Sequence, residues 1–91
     1  MATYVRKNPS ARRFVPVTPG TNRAKIVKAI VRRTARKMTI DELAAVLKTT
    51  PGNAKNTVYC MHRDNGFGYW VKGRVIGLVI PKNVEPIRKA N

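Results

Sequence analysis

Residues 39–66 constrain the fold more than any other part of this chain. They read T-I-D-E-L-A-A-V-L-K-T-T-P-G-N-A-K-N-T-V-Y-C-M-H-R-D-N-G. Apolar residues recur at helical spacing on both sides of a short polar turn, which predicts two amphipathic helices joined in sequence. Thr39 and Glu42 match the T-x-x-E capping box, so we expect the first of these helices over about residues 40–48.

The second of these helices is expected to present a polar face to solvent. Thr50 is a suitable N-cap, Pro51 suits the first helical position, and Asn65 or Gly66 suits a left-handed C-cap. One face carries Ala54, Thr57, Val58 and Met61, and we expect it to be buried. The opposite face carries Asn53, Lys55, Asn56, Tyr59 and Arg63.

A basic helix is predicted ahead of this pair. Apolar residues at helical spacing indicate a helix over about residues 22–36, with Thr21 or Asn22 as its cap. Its other faces carry six basic residues and no acid, namely Arg23, Lys25, Lys28, Arg32, Arg33 and Arg36. These charges repel one another unless an external anion screens them, which favours phosphate contact over a merely solvated face.

Residues 1–20 are predicted to form a flexible basic arm. Three prolines and Gly20 interrupt any helix there, and Arg12 and Arg13 lie among them. Such an arm suits a minor groove or a row of phosphates, and a frayed, solvated terminus is the equal alternative.

A β-hairpin is predicted after the helices, because residues 67–71 and 74–80 are rich in aromatic and β-branched side chains. A turn at Lys72-Gly73 pairs Trp70 with Val75 and Tyr69 with Ile76. The expected core face holds Phe67, Tyr69, Ile76, Leu78 and Ile80. Trp70 then lies on the other face, where it is covered by Phe14 or Val17, forms a dimer interface or stacks on a base.

The charge balance favours a polyanionic partner. Nineteen Lys and Arg residues face four Asp and Glu residues, which gives a formal net charge of +15 in 91 residues. Such a charge costs stability by self-repulsion, and nucleic-acid phosphates are its commonest use. No apolar run approaches the roughly 20 residues of a membrane span, no signal peptide is recognisable, and a single cysteine fits a reducing compartment. We therefore expect an intracellular protein without a membrane partner.

Three motifs carry a resemblance to a known family. They are I-V-K-A-I-V in the first helix, M-T-I-D-E-L-A-A-V-L in the second, and N-T-V-Y-C-M-H-R-D-N-G-F in the third and its exit. Over residues 21–81 the chain resembles the winged helix-turn-helix family of DNA-binding domains. The resemblance implies an α+β fold of three helices followed by a two-stranded β-hairpin wing, between the basic arm and a basic tail at residues 82–91. The turn K-T-T-P-G-N departs from the small or glycine-containing link that is usual in the family.

The resemblance implies binding of double-stranded DNA by a transcription regulator or a nucleoid- or chromosome-associated factor. The third helix would lie in the major groove, and the wing and arm would contact the backbone or the minor groove. The residues expected to contact DNA are Asn53, Lys55, Asn56, Tyr59 and Arg63 of the third helix, Lys72 and Arg74 of the wing, Arg23 and Lys25 of the first helix, and Arg12 and Arg13 of the arm.

Catalytic and metal chemistry are not expected. Cys60 and His62 are two residues apart without a second ligand pair, and zinc requires about four ligands. The only histidine lies on the third helix, so no Ser-His-Asp or Cys-His arrangement is available. We therefore predict no enzyme activity, no metal and no cofactor.

The sequence alone also allows binding partners other than double-stranded DNA. An RNA-binding or ribosome-associated protein is one alternative, because basic arms and tails suit structured RNA. A protein-interaction module that uses the winged scaffold to bind an acidic protein is another. A homodimer through Trp70 and Val75 is a further possibility. The expected location is the cytoplasm, with nucleoid association if the source is a bacterium or a phage.

Overall fold

Three helices and a four-stranded antiparallel sheet make up residues 4–89, which are the residues that the computed structural model describes. In chain order the elements are β1 (Tyr4–Lys7), α1 (Asn22–Val31), a 3-10 turn (Thr34–Arg36), β2 (Lys37–Thr39), α2 (Ile40–Leu47), α3 (Pro51–Asn65), β3 (Gly68–Lys72) and β4 (Val75–Val79). The class is therefore α+β, as the sequence predicts.

The sheet has the strand order β1-β3-β4-β2. The sequence predicts only the β3-β4 hairpin, so the prediction of a two-stranded sheet was wrong: the sheet has four strands. β1 pairs with the free edge of β3, and β2 pairs with the free edge of β4. Each added strand is only three or four residues long and depends on a distant partner for its backbone hydrogen bonds.

The hairpin pairs two residues away from the predicted register. Trp70 lies opposite Gly77, whereas the prediction placed it opposite Val75. The turn falls at Gly73-Arg74, and the φ of Gly73 is 60°. A shift of two residues leaves every side chain on its original face, because side chains alternate along a strand. The predicted core face is accordingly buried at Phe67, Tyr69, Ile76 and Leu78, with Ile80 packed against it.

α2 and α3 begin at the predicted residues because local caps define their starts. The Thr39 hydroxyl accepts a hydrogen bond from the Glu42 N–H at 3.1 Å, and the Glu42 carboxylate accepts one from the Thr39 N–H at 3.2 Å. The Thr50 hydroxyl accepts from the Asn53 N–H at 3.2 Å. α3 ends at Asn65, and the following Gly66, with a φ of 88°, is the predicted left-handed cap.

α1 is shorter than predicted. It starts at the Thr21 cap but ends at Val31 instead of residue 36. Ala35 and Arg36 have φ values of 60° and 50°, so the backbone turns there towards β2. Apolar spacing continues to residue 34, but the pairing of β2 with β4 redirects the chain before the helix can continue.

A single apolar core lies between the helices and one face of the sheet. Its largest fully buried side chains are Val17, Ile26, Val27, Ile30, Leu43, Val58, Met61, Phe67 and Ile76. On α3, Ala54, Val58 and Met61 are buried as predicted, and Thr57 is half-buried. Among residues 4–89, no helix combines the length and the apolar character needed to cross a membrane.

Residues 4–20 are attached to the predicted domain by hydrogen bonds, and residues 82–89 are attached in the same way to residues 4–20, whereas the sequence predicts a flexible arm and a tail there. Besides β1, the first segment buries Val17, which is 2% exposed. The Val17 N–H donates to the Pro86 carbonyl at 3.0 Å, and the Arg88 N–H donates to the Val17 carbonyl at 2.8 Å. Residues 1–3 of the predicted arm and 90–91 of the predicted tail lie outside the described residues.

Candidate nucleic-acid interface

The side of α3 that faces away from the core is exposed at four residues. Gly52, Asn53, Asn56 and Arg63 are exposed along it, and we call these four residues the α3 strip. Residues 52, 56 and 63 recur at intervals of whole helical turns, so they lie along one line of the helix. With 15 residues, α3 is about 22 Å long.

The tip of the hairpin is attached to the start of α2. The Nη2 atom of Arg74 donates to both carboxylate oxygens of Asp41 at 2.6 Å, and its Nε donates at 3.2 Å. These hydrogen bonds hold the pKa of the Asp41 carboxyl below its ordinary value. The Ile40 N–H adds a hydrogen bond of 2.8 Å to the Arg74 carbonyl. Arg74, which was expected to contact DNA from the wing, therefore folds back onto the start of α2.

A cleft of about 220 Å³ connects this tip to α3. It is lined by Ile40, Pro51, Gly52, Lys55, Gly73 and Arg74. The half-buried Lys55 and the guanidinium of Arg74 therefore lie at the N-terminal end of the α3 strip.

Two guanidinium groups lie at the C-terminal end of α3. Arg63 Nε donates to Asp64 Oδ1 at 3.0 Å, and Arg23 Nη2 donates to Asp64 Oδ2 at 3.1 Å. Hydrogen bonds from Arg63, and to a smaller extent from Arg23, hold the pKa of the Asp64 carboxyl below its ordinary value. A second Arg63 nitrogen lies 3.6 Å from Cys60 Sγ. The only acid on α3 is thus neutralised by cations from two helices.

Asn65 is a buried connecting residue that the sequence analysis treated only as a helix end. It is 6% exposed, and its amide nitrogen donates to the Val15 carbonyl at 2.7 Å. Its Oδ1 accepts from Arg23 at 2.9 Å. Arg23, a predicted DNA contact, therefore also connects α1 to α3.

Residues 10–15 surround the C-terminal end of α3. The Ser10 N–H donates to the Gly66 carbonyl and the Val15 N–H donates to the Asn65 carbonyl, both at 2.9 Å. A cleft of about 310 Å³ at this end is lined by Ser10, Arg13, His62, Arg63, Asp64 and Gly66. Arg13 thus lies beside Arg63 of the α3 strip, a position that the prediction of a flexible arm did not specify, and Arg12 is exposed next to it.

A larger groove of about 520 Å³ follows the α1 side of α3. Its walls include Arg23, Asn56, Cys60 and Arg88. Arg88 was not among the predicted contacts. Its position depends on the parallel bridge between Val17 and Ile87, which no local sequence pattern indicates.

Lys72 and Lys25 do not join this surface. Lys72 follows Val71, which is buried on the core face, so its side chain points to the opposite face of the sheet. Lys25 is exposed on α1 and lines none of the three clefts beside α3.

Tyr59 has a packing role that the sequence analysis did not expect. It is half-buried against the core, and its ring centroid lies 5.0 Å from that of Tyr69. Burial, together with the neighbouring Tyr59, raises the pKa of Tyr69.

The charges on the molecule are strongly unbalanced after ion pairing. Each of the four acids is paired, and the pairs are Asp41–Arg74, Glu42–Arg33, Asp64 with Arg23 and Arg63, and Glu85–Lys89. These pairs use five of the nineteen basic residues, so fourteen have no acidic partner within residues 4–89. The excess positive charge is therefore available to an external anion.

Comparison with known proteins finds no relative: no family model, no curated protein and no solved structure matches the chain. In the part of the chain that the structure describes, no three His, Cys, Asp or Glu side chains come together as a metal ion requires.

Proposed function

We propose that the protein binds double-stranded DNA and that the α3 strip enters the major groove. The observation that carries this proposal is the strip itself, which offers two amides and a guanidinium on the exposed side of one helix. Asn and Arg are the side chains that pair with adenine and guanine edges in the major groove, which is about 12 Å wide and admits one helix.

Cations at both ends of α3 support the same proposal. Arg74 and Lys55 lie at its start, and Arg13 and Arg23 lie at its end. Phosphates flank the major groove on both sides, so a helix in the groove brings both of its ends near the backbone. The fourteen unpaired basic residues add affinity that does not depend on sequence.

We further infer that the domain is a winged helix-turn-helix with one added edge strand, β1. The supporting features are the order α1-β2-α2-α3-β3-β4, the three-residue turn between α2 and α3, and the hairpin tip beside α3. In this interpretation α3 is the recognition helix. A net charge of +15 exceeds what one helix in one groove needs, which favours a nucleoid- or chromosome-associated factor over a transcription regulator if specificity is low.

The test measures binding of a short labelled duplex by fluorescence anisotropy across a range of salt concentrations. If about six phosphates are neutralised, log K falls with log salt at a slope of roughly −5. Comparison of random with genomic duplexes then separates a specific regulator from a general chromosome-associated factor. A nearly flat salt dependence would contradict the proposal.

Single substitutions on α3 identify the surface. Asn56→Ala and Arg63→Ala are each expected to weaken binding to a preferred sequence by about 1–3 kcal/mol if the side chain contacts a base. Lys28→Ala is the matched control, since Lys28 is exposed on α1 and lines none of the clefts beside α3. Equal affinity of all three variants would exclude α3 as the contact helix. If duplex RNA of equal length competes better than duplex DNA, the ligand of this surface is RNA and not DNA.

A further inference from the structure

The face of the sheet opposite the core carries cations and aromatic side chains. Alternation along the strands gives this face Tyr4, Arg6, Lys37, Trp70 and Lys72, which we call the outer sheet surface. Their sequence neighbours Met38 and Val71 are buried on the core face. None of the four acids lies on these strands.

One row of this surface places an indole between two cations. Arg6, Trp70, Gly77 and Lys37 stand side by side on β1, β3, β4 and β2. Because neighbouring strands are about 4.8 Å apart, the backbones of Arg6 and Lys37 are separated by about 14 Å, with Trp70 between them. The indole extends over Gly77, where any Cβ would collide with it. In the adjacent row, Tyr4 is 56% exposed beside Lys72.

A cleft with an apolar wall and a cationic rim adjoins the indole. It measures about 430 Å³, and its lining includes Val31, Arg33, Arg36, Trp70, Leu78 and Ile80. The rim segment contains Ala35 and Arg36 in the left-handed region, a conformation that non-glycine residues rarely adopt and that is concentrated at functional sites. Arg36 lines this cleft together with Trp70.

We propose that the outer sheet surface binds single-stranded DNA, with an unpaired base stacked on Trp70 and the adjoining phosphates paired with Arg6 and Lys37. Aromatic platforms within a positively charged groove bind single strands in this way. The paired bases of a duplex stack on one another and offer no free ring face to the indole. A second copy of the chain is a poor occupant, because it would bring the same cations together.

The choice of DNA over RNA rests on the proposed function, since the α3 strip is assigned to duplex DNA. The helices pack on the core face of the sheet, so the α3 strip and the outer sheet surface point in different directions. One molecule can therefore hold a duplex and an unpaired strand together, as at a junction or a melted segment.

Trp70 is the only tryptophan of the chain, so its fluorescence reports directly on this surface. Titration with a short oligothymidylate at low salt is expected to quench the Trp70 emission in a saturable way, with weaker binding as salt rises. Absence of saturable quenching would overturn the proposal. Equal quenching by a duplex of the same length would overturn it too, because stacking on Trp70 requires an unpaired base.

Paired variants separate this surface from general charge attraction. Arg6→Ala with Lys37→Ala should lower the affinity for labelled oligothymidylate by about tenfold or more, because two phosphate contacts are lost. Lys28→Ala with Arg32→Ala removes the same charge from exposed positions of the α1 region and should change this affinity far less. Equal losses in the two double variants would contradict a defined site. Trp70→Leu, with its fold checked by circular dichroism, is also expected to bind about tenfold more weakly.

The two proposals fail separately. Arg63→Ala and Asn56→Ala are expected to weaken duplex binding while Trp70 quenching by oligothymidylate is retained. Loss of that quenching in both α3 variants would mean that a single strand binds on α3, which overturns the outer sheet surface as the site. Tighter binding of an oligouridylate than of oligothymidylate would overturn the assignment to DNA. Sedimentation tests the remaining alternative. If the protein dimerises as its concentration rises and Trp70→Leu abolishes the dimer, the outer sheet surface binds a second copy of the chain and not a single strand.

Discussion

At the scale of single residues, Gly77 leaves no room for one additional methyl group. A Cβ there would collide with Nε1 and Cε2 of the Trp70 indole. Gly77→Ala is therefore expected to lower the free energy of unfolding by about 1–3 kcal/mol, the usual cost of overpacking. Urea unfolding followed by far-ultraviolet circular dichroism measures this loss.

Gly52→Ala provides the comparison. Nothing lies within 4 Å of a Cβ at Gly52, which is in the first turn of α3. Alanine favours the helix over glycine, so stability should stay the same or rise by up to about 1 kcal/mol. A Gly77→Ala protein as stable as the Gly52→Ala protein would show that the indole does not occupy the space above β4.

At the scale of the element, the start of α2 depends on a reciprocal cap. The Thr39 hydroxyl accepts from the Glu42 N–H, and the Glu42 carboxylate accepts from the Thr39 N–H. Thr39→Ala removes the hydroxyl and is expected to cost about 0.5–2 kcal/mol of stability in thermal or urea unfolding.

Thr39→Ser is the control for this helix start, because it keeps the hydroxyl and removes only the methyl group. Its stability should lie close to that of the unaltered protein. If the serine and alanine variants were equally destabilised, packing of the Thr39 methyl group and not the cap would explain the loss.

At the scale of the whole molecule, the ion pairs make stability depend on pH at the acidic end. Arg74 lowers the pKa of the Asp41 carboxyl, the Thr39 N–H lowers that of Glu42, and Arg63 lowers that of Asp64. Their ordinary values are 3.8, 4.5 and 3.8, so the folded state binds fewer protons than the unfolded state in this range. The stabilisation is fully present above these values and is lost as pH falls through the lower folded-state values.

Thermal unfolding from neutral pH down to about pH 3 is expected to show a falling Tm below these ordinary values. The triple variant Asp41→Asn, Glu42→Gln and Asp64→Asn lacks the three carboxyls, so its Tm should change less over the same range. Parallel curves for the two proteins would assign the acid sensitivity to other groups.

Local patterns were sufficient for α2, α3 and the buried faces. A capping box, an N-cap threonine, a proline at the first helical position and a glycine at the end act within one helical turn, so residues 39–66 contain all the signals needed for their own helices. The buried side of the hairpin was also predictable, because alternation depends only on the sequence of each strand.

The candidate site was predictable in part. Asn53, Asn56, Lys55 and Arg63 follow from helical periodicity, and α3 carries them as expected. The attachment of Arg74 to Asp41 and the connection of Arg23 to Asn65 span 33 and 42 residues, so no local pattern indicates them. Lys72 lies away from α3 although it is near the hairpin tip. Side chains alternate along β3, and the burial of Val71 on the core face places Lys72 on the opposite face of the sheet.

By itself, the sequence determined α2, the helix α3 that carries the α3 strip, the apolar faces and the charge that favours a polyanion, since each follows from neighbouring residues or from composition. Only the tertiary structure decided the two edge strands, the hairpin register, the end of α1 at Val31 and the row of Arg6, Trp70 and Lys37. Strand pairing joins segments that are distant in the chain, and a register shift of two residues preserves the same alternation of faces. Contacts between strands, and not the pattern within any one of them, therefore selected this arrangement.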